Sequence, residues 1–196
     1  MRFFSLNFLF TFFLLVPQFK SGVQNATAII DGYVLTKDGG AISDALVYLS
    51  DNPEFSTQVS TMTNEAGYYR FEGVETMKDY YIKAYKNDHT IDGVSVLDIV
   101  RIQKHLLGTK PFKTLDQFIA ADANNSWNVS AIDLIELKKL ILGIYSEFPS
   151  NTSWRFGAMP VDLSGNSIES IKIIQNLNGD ERVDFLGIKI GDISGN

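Results

Sequence analysis

The twelve residues 122–133, DANNSWNVSAID, constrain the fold of this chain more than any other stretch. Asp122, Asn124 and Ser126 stand at positions one, three and five, Ser130 at nine and Asp133 at twelve. A hard divalent cation gathers about six to eight oxygens, and a curled loop with ligands on alternate residues converges them while position seven offers its backbone carbonyl. Here that carbonyl belongs to Asn128. The residues that follow, IDLIELKKLILG, carry apolar side chains at helical spacing and end on Gly143, so the loop is predicted to run directly into a helix.

The same unit occurs once before. Residues 92–108, DGVSVLDIVRIQKHLLG, align with the later copy at a shift of 35 residues, pairing Val94 with Val129, Ser95 with Ser130, Asp98 with Asp133, Lys104 with Lys139, Leu107 with Leu142 and Gly108 with Gly143. Two calcium loop-helix units joined by a linker, neither preceded by a helix, resemble a type I dockerin over residues 86–148. That resemblance implies bound Ca2+, and a cohesin-like protein module as docking partner.

The two loops differ in quality. Loop two offers a ligand at every position, Asp122, Asn124, Ser126, Asn128, Ser130 and Asp133, but only two are carboxylates. Its position six, where glycine makes the sharp turn, is Trp127. A positive φ in a bulky residue costs about 1 kcal/mol or more. The expected affinity therefore falls in the extracellular range, on the order of 0.1–1 mM. In loop one, counting back from Asp98 places Ser95 at nine, Gly93 at seven, Ile91 at five, His89 at three and Asn87 at one. Ile91 has no ligand atom and histidine suits a hard cation poorly. Asn87, Gly93, Ser95 and Asp98 thus form a degenerate second site, with Asp88 and Asp92 one step out of register. Dockerins are recognised through their exposed helix faces, notably the pair before each closing acid. In this chain the pairs are Val96-Leu97 and Ala131-Ile132, and two readings compete, a partner-binding patch or packing within the repeat or against the β domain, of which packing is the expected one.

The start of the chain has Arg2, an apolar run over 3–16 and small polar residues from 21 to 28. Residues 1–26 therefore read as a secretory signal peptide, with Ala26-Thr27-Ala28 fitting a cleavage site that Gly22 or Gln24 could equally mark. The run is too short for a confident membrane span, so the mature chain is expected to be secreted or at the cell surface, without a span. There are no cysteines, which leaves stability to the core and to bound metal. The net charge of −6 and the lack of a basic stripe argue against a nucleic-acid partner.

Residues 27–85 alternate in polarity between turn residues, as an antiparallel β domain does. Ile30, Gly32 and Val34 share one strand face, Asp38-Gly39-Gly40 makes a turn, and Ala45, Val47 and Leu49 share the next. Further strands are expected at 59–63, 68–71 and 80–85. The phrases GYVLTKDGGAISDALVYL, TNEAGYYRFEGV and YYIKAYK resemble the carboxypeptidase regulatory-like domain, a resemblance that implies a seven-stranded, non-catalytic sandwich. Alternation sends Tyr69 and Phe71 inward and leaves Tyr68 and Tyr81 as the one outward pair suited to stacking on a sugar.

A boundary falls at 149–151. Residues 170–177 and 183–190 read as two strands of a hairpin about Asn178-Gly179-Asp180. Asp192, Ser194 and Asn196 repeat the one-three-five spacing without a closing acid, and the KIGDISGN ending resembles segments that lead into a further module of a longer parent protein. The expected architecture is α+β and multi-domain: a β-sandwich over 27–85, a helical calcium module over 86–148 and a β-hairpin segment over 149–196. Catalysis has little support. His89 and His105 lie on separate elements, and no metalloprotease, nucleophile-elbow or phosphate-cradling motif occurs; His105, in the last turn of its helix, suits a cation at the negative end of the dipole. The functions compatible with this are a calcium-binding scaffold with docking potential, an accessory part of a polysaccharide-degrading enzyme or assembly, and a carbohydrate-binding protein.

Overall fold

The computed structural model describes residues 26–165 and 167–194; the signal-peptide expectation and Asn196 lie outside them. The fold is α+β, two β-sheets with three short helices. Five strands come from the first half: β1 (Thr27–Leu35), β2 (Leu46–Ser50), β3 (Gln58–Met62), β4 (Tyr68–Glu75) and β5 (Tyr80–Tyr85). Their alternation places Ile30, Val34, Val47, Leu49, Tyr69, Phe71 and Ile82 in one buried core, as the period-two pattern requires.

The helices follow: α1 (Val96–Leu106), α2 (Leu115–Ala121) and α3 (Ala131–Ile141). The chain then returns to the sheets with β6 (Trp154–Ala158), β7 (Lys172–Ile174), β8 (Glu181–Arg182) and β9 (Phe185–Lys189). One sheet has the order β4-β1-β9-β6, with β8 also beside β1; the other is β3-β2-β5-β7.

Two expectations are corrected here. Residues 170–177 and 183–190 do not pair as a hairpin: β7 joins β5 in one sheet, while β9 lies between β1 and β6 in the other. The turn at Asn178-Gly179-Asp180 is a crossing between sheets. The physical reason is edge satisfaction, because β1 and β5 would otherwise offer unpaired backbone along the side that the later strands cover. The sandwich is likewise not completed within 27–85, which supplies five of the nine strands.

β9 explains how the helices are held. All five of its residues are buried. Phe185 enters the sandwich core, whereas Leu186 and Ile188 join Ile102, Ile119, Leu134 and Leu137 in a second core under the helices. A strand buried on both faces reads as a near-continuous apolar run, and FLGIKI does so apart from Lys189. The helical repeat is therefore a third layer, seated on the outer face of β9.

Candidate metal centre

Loop two is framed by helices on both sides. The linker expected before it contains α2, whose last turn delivers Asp122, the C-cap residue. This helix is only seven residues long, too short to leave a clear periodic signature. At the other end Ser130 caps α3 and Asp133 closes a capping box, with Ser130 N donating to Asp133 Oδ2 at 2.8 Å. Asp133 is fully buried. Its other oxygen, Oδ1, accepts from Asn124 N at 3.2 Å, so one carboxylate ties position twelve to position three.

The opposite wall is built on Asp122, itself buried. Its Oδ1 accepts from Ser126 N and its Oδ2 from Trp127 N, each at 2.8 Å. Ser126 Oγ lies 3.4 Å from Asp122 Oδ1 and 3.1 Å from the Asn128 carbonyl oxygen. Neighbouring oxygens around one cation hold about this separation when each is about 2.4 Å from it. Asn124 Oδ1 is 3.1 Å from Ser126 N and faces the same turn. The structure thus brings Asp122, Asn124, Ser126, Asn128, Ser130 and Asp133 into one curled loop, and the residue types fit a hard cation with two carboxylates and several neutral oxygens. Among the described residues no three His, Cys, Asp or Glu side chains gather as a group that could hold a metal ion. Trp127 does adopt the left-handed turn, at φ 62°, where glycine would be unstrained.

Loop one is wired differently. Asp98 Oδ2 accepts from Ser95 N at 2.9 Å and Ser95 Oγ at 2.7 Å, while its Oδ1 accepts from Arg101 Nη1 at 2.9 Å and Ile193 N at 3.1 Å. As in loop two, both oxygens of the closing acid accept from protein donors; the difference is that one of these donors, Arg101, is itself a cation. Asn87 turns to other partners: its Oδ1 accepts from Ser153 N at 2.8 Å and its Nδ2 donates to Glu147 at 3.2 Å. Gly93 makes its turn at φ 77° against the Asp192 side chain. Asp192 Oδ1 in turn accepts from Ser194 N, so this pair folds back on itself beside loop one.

Sequence reasoning missed the cation already present here. Lys189, at the end of β9, is 8% exposed and donates from Nζ to the His89 carbonyl at 2.6 Å, with the Trp154 ring 5.2 Å away. Burial pulls its ammonium down to about 8, against the opposing pull of Asp92 and Asp88. No periodic or motif signal marks a lysine 100 residues from its acceptor. An ammonium whose folded value lies below its unfolded one, about 10.4, binds fewer protons in the folded state between the two, so stability rises with pH across that window. Melting temperatures of wild type measured from pH 7.5 to 10 should therefore rise relative to Lys189→Met, the difference opening above pH 8. A constant difference across the range would show that Lys189 keeps an ordinary value.

His105 is not the helix-end cation expected. Its Nδ1 accepts from Phe112 N at 3.0 Å and its ring stacks on Phe112 at 4.1 Å, and burial lowers its pKa, all of which favour the neutral imidazole. Tyr68 and Tyr81 do not form a stacking pair, because β4 and β5 belong to different sheets. Tyr68 instead donates to Asp31 Oδ2 at 3.0 Å and leans on Tyr33.

The helix pairs are also placed otherwise than expected. Val96 is 62% exposed, Leu97 65% and Ile132 55%, so these side chains do not pack into either core. The exposed set extends to Val100 and Leu107 along α1, and to Ile135 and Leu142 along α3. Under the 35-residue repeat, Leu97, Val100 and Leu107 correspond to Ile132, Ile135 and Leu142. The inward stripes are made by Ile99 and Ile102, and by Leu134, Leu137 and Leu140, which fill the space available under the helices.

No helix among the described residues is long and apolar enough to cross a membrane. No family model and no curated protein matches the chain. Among solved structures, two of BcpA, the major pilin subunit of Bacillus cereus, align at 21% identity and TM-scores of 0.27 and 0.28, covering 31% of this chain and 19% of the pilin. The dioxygenase domain of a dioxygenase carbohydrate-binding protein fusion from Streptomyces sp. SirexAA-E aligns at 15% identity and a TM-score of 0.25, over 33% of this chain and 51% of its own. Each likeness is confined to about a third of the chain.

Proposed function

We propose that this chain is an exported, non-catalytic calcium-binding scaffold, in which a carboxypeptidase regulatory-like sandwich carries a dockerin-like repeat that docks onto a cohesin-like protein module. The observation that carries docking is the matched exposure of Leu97, Val100 and Leu107 on α1 with Ile132, Ile135 and Leu142 on α3. Two helices that already bury one apolar stripe have no packing need for a second, and exposed apolar patches of this kind mark protein contacts. Calcium at loop two would be held by Asp122, Asn124, Ser126, Asp133, the Asn128 carbonyl and Ser130, directly or through water. Its charge there would offset that of the two carboxylates and fix the angle between α2 and α3, which sets the outward stripe of α3.

Calorimetric titration with calcium is expected to give heat and a rise in melting temperature at millimolar metal; the absence of both removes the calcium half of the proposal. Capture by a panel of immobilised cohesin modules tests the other half. Leu97→Asp combined with Ile132→Asp should abolish capture with little change in melting temperature, since both side chains are exposed and an added acid in the first turn of a helix suits its dipole. Undiminished capture by the double variant would move the docking surface elsewhere.

A further inference from the structure

Trp127 poses a problem that the calcium loop does not answer. It holds φ 62°, a conformation that glycine adopts freely, yet its ring is 61% exposed and contributes to neither core. Strained backbone kept under an exposed aromatic ring points to a use for the ring. The residue lines a cleft of about 530 Å³ whose walls also include Tyr48, Tyr85 and Trp154. These four aromatics come from β2, the end of β5, loop two and β6, so only the folded chain assembles them.

The polar part of the cleft has a definite sign. Lys83 and Arg155 line it, together with the neutral Gln58, Thr152 and Ser170, and no carboxylate side chain is among its described lining residues. In a chain of net charge −6 this is a local reversal. Both cations are held in place by rings. Arg155 Cζ lies 4.6 Å from the Trp127 centroid, and its guanidinium donates to Asn125 Oδ1 in the same loop. Lys83 Nζ lies 3.8 Å from the Phe55 ring. The volume lies within the range of ligand clefts, about 300–1,000 Å³.

We propose that this cleft binds an anionic, carboxylated oligosaccharide, with sugar C–H faces on Trp127 and the neighbouring rings and a uronate carboxylate on Arg155 or Lys83. Flat aromatic rings suit the apolar faces of sugar rings, the neutral side chains suit hydroxyls, and a planar guanidinium pairs with a carboxylate through two parallel N–H donors. Because Trp127 N donates to Asp122 Oδ2, the ring is anchored to the position-one carboxylate of the calcium loop, and filling that loop fixes the rim of the cleft. The site stands apart from the exposed stripes of α1 and α3 and does not depend on docking.

The test is calorimetry and tryptophan fluorescence on the mature chain at constant calcium, with oligosaccharides containing glucuronate, galacturonate or mannuronate, each beside its carboxyl-reduced neutral form. At least one acidic form should bind at least about tenfold more tightly than its neutral counterpart, a difference of about 1.4 kcal/mol. Trp127→Gly relieves the turn, so it should keep or tighten calcium binding while losing at least about tenfold in sugar affinity. Arg155→Gln combined with Lys83→Gln should bring acidic and neutral forms close to equal affinity, and an acidic preference that survives in the double variant would overturn the assignment of the carboxylate to these two cations. The proposal is overturned if none of the acidic forms binds at about 10 mM, if neutral forms bind as well as acidic ones, or if Trp127→Gly binds sugar as wild type does.

Discussion

Asp133→Ala is expected to remove calcium binding from the millimolar range and to destabilise the chain even in chelator. Three donors would lose an acceptor at once, because Ser130 N, Ser130 Oγ and Asn124 N all point at this fully buried carboxylate. Losing a helix cap costs about 1 kcal/mol, and buried donors left without partners cost about 1–3 kcal/mol more. The metal effect is separable. With an affinity of about 0.1–1 mM, wild type should gain about 1.4–2.7 kcal/mol of stability at about 10 mM calcium, and the variant none. Asp133→Asn divides the two roles: its amide oxygen can still accept from Ser130 N, so it should recover part of the chelator stability while still losing the calcium gain. A calcium gain that survives in Asp133→Asn would show that the closing position needs no charge and would weaken the assignment of loop two as the metal site. The corresponding change in loop one, Asp98→Asn, should leave the calcium gain intact, because the Arg101 cation already sits on Asp98 Oδ1 and Ile91 offers no ligand atom at position five.

What could be read from the sequence follows the range of the interaction. β1 to β5 and both long helices were legible because alternation and helical periodicity are local signals, and the buried faces at Ile30, Val34, Val47, Leu49, Tyr69 and Phe71 followed from them. The oxygens of 122–133 were legible for the same reason, since one contiguous loop supplies them all. Partner choice was not. Strand β9 reads as a strand from its own residues, but whether it pairs with β7 or slips between β1 and β6 depends on which edges the rest of the chain leaves open. The outward Val96, Leu97 and Ile132 carry no local mark that separates a core side chain from an interface one. Their exposure is decided by Ile102, Leu134 and Leu137 having already filled the space against β9. Lys189 at loop one and the cleft around Trp127 join residues from distant segments, and no spacing rule reaches that far.

The most demanding test of the sandwich is Gly32→Ala. Gly32 lies on β1 where β8 and the start of β9 pass, and a Cβ there would overlap the Val183 carbonyl, a backbone group that cannot swing aside as a side chain can. That carbonyl also accepts from the Tyr69 hydroxyl, and the same strand segment is pinned by Val183 N donating to Asp31 O at 2.8 Å. Making room for one methyl group therefore pulls the C-terminal strand off β1 and leaves a buried phenol without its acceptor. Overpacking of this kind costs about 1–3 kcal/mol, and the orphaned hydroxyl adds about 1–3 kcal/mol, so a fall in melting temperature of roughly 4–24 °C is expected for a chain of this size. Gly179→Ala is the matching control, because no atom lies within 4 Å of its added Cβ, and it should change little. If 149–196 formed a hairpin apart from the first five strands, the two variants would melt together. A large gap between them ties the last quarter of the chain into the same sandwich as β1, and with it the β9 surface on which the three helices rest.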